Sequence, residues 1–292
     1  MELTFTKIKR STSYPTIDSS RPELSVKAKT VYVTGAAPGS IGAGIAAAFA
    51  KAGAAKIGLF DRSEQHLQQT KESLLETHRE LIVFTHTLDI AEAPSVGIAS
   101  HWARVEIGAW DVFVNCAADY SPTPSTIQGS DEDDWWKSFE TTVRSVQHFS
   151  KSFMPKARPN ATYISLNAGT GVGPAQLYPK VSAYSAAKLA AAKLDDYLSV
   201  ENPRLRVFTL NPGLVDTPLF RAQQQDPETR ENVPLHDISL PADTCVWLAS
   251  GESEFLRGRF VFASYDVDEL LQRKAEIEAD PFSLRLCLGG TR

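Results

Sequence analysis

The chain has 292 residues, of which 42% are hydrophobic, enough for one large α/β domain with a sizeable core. A formal charge of -5 and a pI near 5.7 leave no basic excess to neutralise phosphates, which excludes nucleic acid as an expected partner. The sequence shows no apolar run of membrane-spanning length and no signal peptide, and its three cysteines have no paired spacing, so we expect a cytoplasmic protein with no membrane association.

Composition and proline placement predict three parts. The first is an N-terminal extension at 1–29, where Pro15 and Pro22 indicate irregular backbone that is draped over the surface or partly loose. The second is a dinucleotide-binding and catalytic domain at 30–265. The third, at 266–292, is a charged helix followed by an apolar tail that needs covering.

A glycine-rich turn follows the first predicted strand, 30–34. Gly35, Gly39 and Gly42 fall in this turn, and Ile41 begins an apolar periodicity typical of a helix. Glycines between a strand and a helix N-terminus let backbone N–H groups approach a pyrophosphate, whose charge the helix dipole favours. The alternative is a tight strand-to-helix turn with no ligand.

An acidic residue ends the second predicted strand, 55–60. Asp61 lies roughly 20 residues past the glycine turn, the spacing at which a carboxylate accepts a hydrogen bond from an adenosine ribose. Asp61 could also cap the helix that starts near Ser63, and both roles are compatible.

Strands alternate with helical segments along the rest of the chain. We therefore predict an α/β fold: a single-domain, Rossmann-like, doubly wound parallel sheet of about seven strands with helices on both faces. A long amphipathic helix is predicted from Asp131 to Met154, and a mobile lid over the site from Pro218 to Pro241. The strands are predicted at 30–34, 55–60, 81–84, 111–118, 162–166, 205–210 and 258–263.

Tyr184 and Lys188 are four residues apart in an alanine-rich helical segment, so they stack on one helix face. A phenol with a pKa of about 10 transfers protons poorly at neutral pH, and a nearby cation lowers that pKa. The spacing therefore favours Tyr184 as the acid/base and Lys188 as the group that tunes it. In isolation this pair would more often be a solvated helix face.

These motifs in this order resemble the short-chain dehydrogenase/reductase family, and the two ends of the chain are similar to filamentous-fungal members that act in secondary metabolism. The resemblance covers about Thr30 to Ser264. The matching residues are Thr34, Gly35, Gly39, Asp61, Asp89, Asn115, Tyr184, Lys188, Pro212, Gly213, Val215 and Thr217.

The Asp61 carboxylate would accept the adenosine 2'-hydroxyl and repel a 2'-phosphate, so we expect NAD as cofactor, with NADP possible if Arg62 pairs with that phosphate, and no metal. The alanines of the Tyr184 helix allow a neighbouring helix to come close, and family members commonly pair through this helix and the long helix before it, so we expect a homodimer or homotetramer. Arg144 falls where the family often has a basic residue. The implied cofactor contacts are Asp61 at the adenosine ribose, Asp89 at the adenine edge, Asn115 on the ribose side, Lys188 at the nicotinamide ribose, and Val215 and Thr217 at the carboxamide.

Three departures from the family pattern bear on chemistry. The glycine turn contains an extra residue, Ser40, and Thr142 stands where the family has a helix asparagine that relays protons to the lysine. The serine that positions the substrate carbonyl has no unique counterpart, and loss of such a donor costs on the order of a hundredfold in rate. Its candidates are Ser165, Leu166, Asn167 and Ala168, of which Ser165 and Asn167 can donate a hydrogen bond.

The leading functional prediction is a nicotinamide-dependent oxidoreductase that transfers a hydride between the cofactor and a ketone or secondary alcohol of a small to medium metabolite. The altered serine and asparagine positions motivate an alternative, a non-redox cyclase or isomerase that uses Tyr184 and Lys188 for proton transfer. A catalytically silent binding protein is disfavoured because the acid/base pair is present.

Overall fold

The structure is a computed structural model that describes residues 5–118, 125–223 and 234–286. Its strands are β1 (Thr30–Thr34), β2 (Lys56–Asp61), β3 (Ile82–Thr87), β4 (Trp110–Asn115), β5 (Ala157–Leu166), β6 (Arg206–Asn211) and β7 (Phe260–Phe262). Its helices are α1 (Ile41–Lys51), α2 (Glu64–Thr77), α3 (Ala93–Glu106), α4 (Glu132–Phe139), α5 (Ser145–Ser152), α6 (Ser182–Glu201), α7 (Pro218–Gln223), α8 (Ser239–Ala249), α9 (Val267–Gln272) and α10 (Lys274–Ala279).

The strands form one parallel sheet in the order β3-β2-β1-β4-β5-β6-β7, which confirms the predicted fold class. Strand order reverses between β1 and β4, where Thr34 pairs with Asn115. In a doubly wound sheet the crossover helices diverge at this reversal and leave a crevice at the carboxyl ends of the strands. The fold therefore predicts the ligand site beside Thr34 and Asn115.

Both faces of the sheet are buried, as expected for parallel strands. Alternate side chains of one strand enter different cores: Val31 and Val33 pack with residues of α1 and α8, whereas Tyr32 packs with residues of α3 and α5. The second core is rich in aromatic rings that meet mostly edge to face, an arrangement that adds stability beyond buried area. These rings belong to Tyr32, Phe60, Trp110, Phe113, Phe149, Phe153 and Tyr163.

The described part of the N-terminal extension packs tightly against the end of the chain. Tyr14, Ile17 and Leu24 are buried in the first core, and Arg10 forms an ion pair of 2.7 Å with the buried Asp266. These three apolar residues are three and seven positions apart, too few to define a helix or strand period. The sequence therefore indicated only irregular backbone.

Several predicted boundaries differ from the observed ones. β5 begins at Ala157, five residues before the predicted start. The pattern of the sequence did not indicate these residues because most of them are exposed and they lack a run of apolar side chains. The predicted long helix is interrupted at Glu140–Arg144 by a π-helical segment, hereafter the π segment, which separates α4 from α5. The predicted lid includes α7, but residues 224–233 lie outside the described residues, as do residues 287–292 of the predicted tail. Within the described ranges no helix combines the length and apolarity needed to cross a membrane.

Candidate active site

A cavity of ≈ 540 Å³ lies at the carboxyl ends of β1, β2 and β4, beside the start of α1. This volume falls within the range of small-molecule and cofactor sites. Predicted site residues on its wall are Gly35, Ile41, Gly42, Asp61, Asp89 and Thr217. Residues not singled out for contact with the cofactor also line it, among them Thr34, Phe60, Ser63, His66, Cys116, Ala117, Lys137, Glu140 and Thr141.

The glycine turn forms the wall at the start of α1. Gly35 has a φ of +67°, and a Cβ there would lie 2.9 Å from the backbone nitrogen of Ala117. A Cβ on Gly42 would lie 2.4 Å from the carbonyl oxygen of Gly35, so neither position accepts a side chain without moving backbone. Ser40 closes the turn: its hydroxyl donates to that carbonyl at 2.8 Å and accepts from Ala43 N–H at 3.1 Å. The extra residue is therefore the N-cap of α1.

Asp61 and Asp89 lie on the wall formed by the ends of β2 and β3. Asp61 accepts a hydrogen bond from the backbone N–H of Ser63 at 3.2 Å, while Ser63 itself caps α2. Asp61 is thus not the cap of this helix, although it positions the residue that is. Asp89 accepts from the backbone N–H of Ala91 at 2.9 Å.

Thr34 organises the floor of the cavity. Its hydroxyl donates to the Asn115 side-chain oxygen at 2.8 Å and accepts from the backbone N–H groups of Cys116 and Ala117, each at 3.1 Å. Asn115 is buried and does not line the cavity. Together these bonds fix the chain where β4 leaves the sheet and place the small residues that follow it against the open space.

Tyr184 and Lys188 lie in the first two turns of α6. The ammonium nitrogen of Lys188 lies 5.8 Å from the centre of the Tyr184 ring and donates to the carbonyl oxygen of Leu166 at 3.1 Å. Tyr184 is half-buried and Lys188 is buried. Burial lowers the pKa of Lys188 to about 8, against the opposing effects of Asp195 and of Cys116, which lines the cavity.

Ser165 and Asn167 point towards α6 and not into the cavity. Asn167 is buried, donates to the carbonyl oxygen of Lys188 at 3.0 Å and accepts from Ala168 N–H at 2.8 Å. Ser165 is buried near the end of β5. Burial raises the pKa of the Asp195 carboxyl on α6, and hydrogen bonding by the Ser165 hydroxyl offsets part of this rise. Both candidates for the carbonyl donor therefore serve the packing of α6 against the sheet.

Of the remaining predicted residues, one lines the cavity and the others do not. Thr217 lines it, and its hydroxyl accepts from Phe220 N–H at 3.1 Å at the start of α7. Val215 is buried and pairs with His236 in an isolated bridge. Gly39 has a φ of +72° and shapes the turn without lining the cavity. Arg144 does not line the cavity: its exposed side chain lines a neighbouring groove, and its guanidinium lies 3.9 Å from the carboxylate of Glu140, which lines both spaces.

Comparison with known proteins identifies the family. A short chain dehydrogenase family model matches residues 29–228, and the chain belongs to this family. It is 32% identical over 288 residues to the short chain dehydrogenase mpl6 of Monascus purpureus, covering 94% of both chains. It is 34% identical over 284 residues to a short chain dehydrogenase/reductase of Claviceps purpurea, covering 94% of this chain and 91% of that relative. These fungal relatives confirm the resemblance predicted from the sequence.

The fold is shared with solved structures. L-sorbose reductase of Gluconobacter frateurii, solved with NADPH and L-sorbose, aligns with a TM-score of 0.73 and 24% identity, covering 82% of this chain and 96% of that chain. Membership of the family makes the protein an NAD(P)-dependent oxidoreductase. The cavity fits such a dinucleotide, because positions 35 and 42 accept only glycine and the start of α1 faces the open space.

Proposed function

We propose that the protein transfers a hydride between a nicotinamide dinucleotide and a ketone or secondary alcohol of a small to medium, largely apolar metabolite, with Tyr184 as the proton donor and acceptor. One observation carries the proposal. The ammonium nitrogen of Lys188 lies 5.8 Å from the centre of the Tyr184 ring. Neither side chain lines the cavity itself, but burial raises the pKa of Cys116, which does line it, and the Lys188 charge opposes this rise. A phenol and a cation therefore meet beside the space that suits the cofactor.

Different residues of the chain would bind the cofactor and transfer the proton. Residues of the glycine turn hold the pyrophosphate through backbone N–H groups, and Lys188 orients the nicotinamide ribose and favours the phenolate of Tyr184. Tyr184 gives its proton to the carbonyl oxygen during reduction and takes it back during oxidation. When bound, the nicotinamide supplies or accepts the hydride. Val215 and Thr217 hold its carboxamide, and Asn115 supports the ribose side from below.

For the choice of cofactor we propose NAD, because the Asp61 carboxylate on the cavity wall would accept from a 2'-hydroxyl and would repel a 2'-phosphate. Arg62 also lines the cavity, and a guanidinium can bind a phosphate with two hydrogen bonds. The L-sorbose reductase was solved with NADPH, which supports NADP as the alternative.

For the assembly we propose a homodimer or homotetramer formed through α4, the π segment, α5 and α6. These elements share a groove of ≈ 680 Å³ lined by Phe139, Val143 and Leu198. Two large side chains at this groove, Trp136 and Tyr197, are 55% and 56% exposed in the single chain. Burial of such surface favours association into a closed symmetric oligomer. Light scattering at micromolar concentration tests this proposal, which a strictly monomeric mass would contradict.

One observation supports the non-redox alternative. Because Ser165 and Asn167 are both turned towards α6, neither side chain is directed at a substrate carbonyl, as a reductase of this family would need. A cyclase or isomerase would need only the proton transfer of Tyr184 and Lys188. Its product would form without any change in the oxidation state of the cofactor.

One experiment separates the two functions. Protein is mixed with NADH or NADPH and with a panel of ketones related to fungal secondary metabolites, and the absorbance of the reduced nicotinamide is followed. The proposal expects loss of absorbance with at least one ketone. Rearrangement of a panel member at constant absorbance would support the alternative instead.

A further inference from the structure

The turn between β6 and α7, residues 212–217, carries Val215 and Thr217, to which the proposed function assigns the nicotinamide carboxamide. We call it the carboxamide turn. Gly213 has a φ of +81°, and its N–H donates to the Asn211 side-chain oxygen at 3.3 Å, beyond the usual range for such a bond. A turn with so long a bond at its start depends on contacts from a neighbouring segment to keep one conformation.

His236 supplies such contacts through hydrogen bonds. Its backbone N–H donates to the carbonyl oxygen of Leu214 at 2.7 Å, and the two chains run parallel where Val215 pairs with His236. The backbone N–H of Leu214 in turn donates to Nδ1 of the His236 ring at 3.2 Å. A single residue therefore bonds both polar backbone groups of Leu214, which lies directly before Val215.

The His236 ring also lies against the backbone of the carboxamide turn. A Cβ built on Gly213 would lie 2.8 Å from Nδ1 and 2.9 Å from Cγ of this ring, so the ring reaches the turn only because residue 213 is glycine. Because Nδ1 accepts the Leu214 hydrogen bond, it carries no proton, and the proton of the neutral ring is on Nε2. Ring contact and hydrogen bonding thus act on the same three residues, 213–215.

The segment that contains His236 is fixed from its other side by the N-terminal extension. The backbone N–H of Asp237 donates to the carbonyl oxygen of Ser11 at 2.7 Å. Two residues further along the extension, the Ser13 hydroxyl donates to the carboxylate of Asp243 at 2.5 Å, and the Ser13 N–H donates to the Ser239 hydroxyl at 3.2 Å. His236 is therefore held between the extension and the carboxamide turn.

We propose that His236 is a positioning residue that holds the carboxamide turn in the conformation that binds the nicotinamide. A turn that already has its bound conformation loses little conformational freedom when the ligand arrives, and this raises affinity. The inference rests on the proposed roles of Val215 and Thr217. A residue that served only the packing of the chain would instead change the stability of the protein without distinguishing one part of the cofactor from another.

The first test compares two ligands and needs no substrate. Dissociation constants are measured for NADH or NADPH, whichever binds more tightly, and for the same molecule without its nicotinamide, ADP-ribose or its 2'-phosphate. His236→Ala should weaken dinucleotide binding about tenfold or more and should change ADP-ribose binding less than about twofold. His101→Ala is the control, because this exposed histidine on α3 does not line the cavity, and it should change neither constant.

Two results of this comparison would overturn the proposal. One is an equal loss of affinity for both ligands in His236→Ala, which would indicate general disruption of the cofactor site. The other is wild-type affinity for both ligands, which would show that the carboxamide turn keeps its conformation without His236.

The second test measures hydrogen–deuterium exchange of residues 213–215 by mass spectrometry in the protein without ligand. His236→Ala should increase their exchange because the Leu214 N–H loses its acceptor. His236→Phe keeps a ring against Gly213 and also lacks the acceptor, so it should show the increase too, and His101→Ala should not. Unchanged exchange in both His236 variants would overturn the proposal.

The two tests distinguish this proposal from the proposed function. If the wild type bound the dinucleotide no more tightly than ADP-ribose, the carboxamide contacts assigned to Val215 and Thr217 would be wrong. Faster exchange at 213–215 in the His236 variants would even then support His236 as the residue that holds the turn.

Discussion

The ammonium nitrogen of Lys188 donates a hydrogen bond to the carbonyl oxygen of Leu166 at 3.1 Å. This bond ties α6 to the end of β5, at one of the four positions that could correspond to the family serine. The cation is therefore held by the backbone before any ligand binds, and its pKa of about 8 reflects burial in the protein. Pre-positioning of this kind reduces the reorganisation that catalysis requires.

The glycine turn gives a prediction with an internal control. Gly42→Ala should destabilise the protein by about 2 kcal/mol or more and abolish dinucleotide binding, because the new Cβ would meet the Gly35 carbonyl at 2.4 Å. Gly97→Ala in α3 has nothing within 4 Å of the new Cβ and should stabilise by about 0.5–1 kcal/mol. Urea unfolding and cofactor titration measure both effects. Normal binding by Gly42→Ala would mean that the turn does not cradle the phosphates.

The unpartnered hydroxyl in the π segment gives a second prediction. Thr142→Val keeps the shape of the side chain and removes a buried hydroxyl without a partner among the described residues. We expect the free energy of unfolding to stay unchanged or to rise by up to ~1 kcal/mol. A decrease of more than about 1 kcal/mol in the free energy of unfolding, measured with urea, would contradict this expectation and show that an ordered water satisfies the Thr142 hydroxyl.

The buried carboxylate makes stability depend on pH. The pKa of Asp195 in the folded protein, about 7, lies above its ordinary value of 3.8, so between these values the folded state keeps a proton that the unfolded chain has lost. Stability contributed by this group therefore falls as pH rises from about 4 to about 7. Relative to the wild type, Asp195→Asn should gain on the order of 2 kcal/mol between pH 5 and pH 8. Urea unfolding at both pH values measures this, and parallel curves would show that Asp195 does not titrate here.

Asp61 provides the prediction on cofactor choice. Asp61→Ala should weaken NAD(H) and strengthen NADP(H), because it removes the acceptor for the 2'-hydroxyl and the charge that repels a 2'-phosphate. The measurement is the ratio of the two dissociation constants in the wild type and the variant. Tighter NADP(H) binding by the wild type, unaffected by Asp61→Ala, would transfer the choice of cofactor to Arg62.

The sequence predicted the sheet and the part of the site built by the glycine turn and the strand ends, because short stretches of sequence carry the signals for both. Three apolar strands end at Thr34, Asp61 and Asn115, and the parallel topology places these ends at one edge of the sheet. The π segment could not be predicted, since its residues continue the apolar period of the flanking helices until one turn is widened.

Asp195 was also missed, although a signal was present. It occupies a position on the buried stripe of α6 that otherwise carries Ala187, Ala191 and Leu198, so an acidic residue there breaks the pattern. An acidic residue in an apolar stripe can be recognised as buried only when it is known which face of the helix packs against the sheet. The inward turn of Asn167 depends equally on tertiary contacts with α6.

The central claim is that Tyr184 transfers the proton in a nicotinamide-dependent reaction, and Tyr184→Phe tests it most directly. The substitution removes one hydroxyl and keeps the ring beside Lys188, so the dissociation constant of the cofactor should change little. Turnover of a ketone, followed by the absorbance of the reduced nicotinamide, should fall by about 10²- to 10⁴-fold. Near-normal turnover by Tyr184→Phe, with the cofactor still bound, would contradict the assignment of Tyr184 as the acid/base.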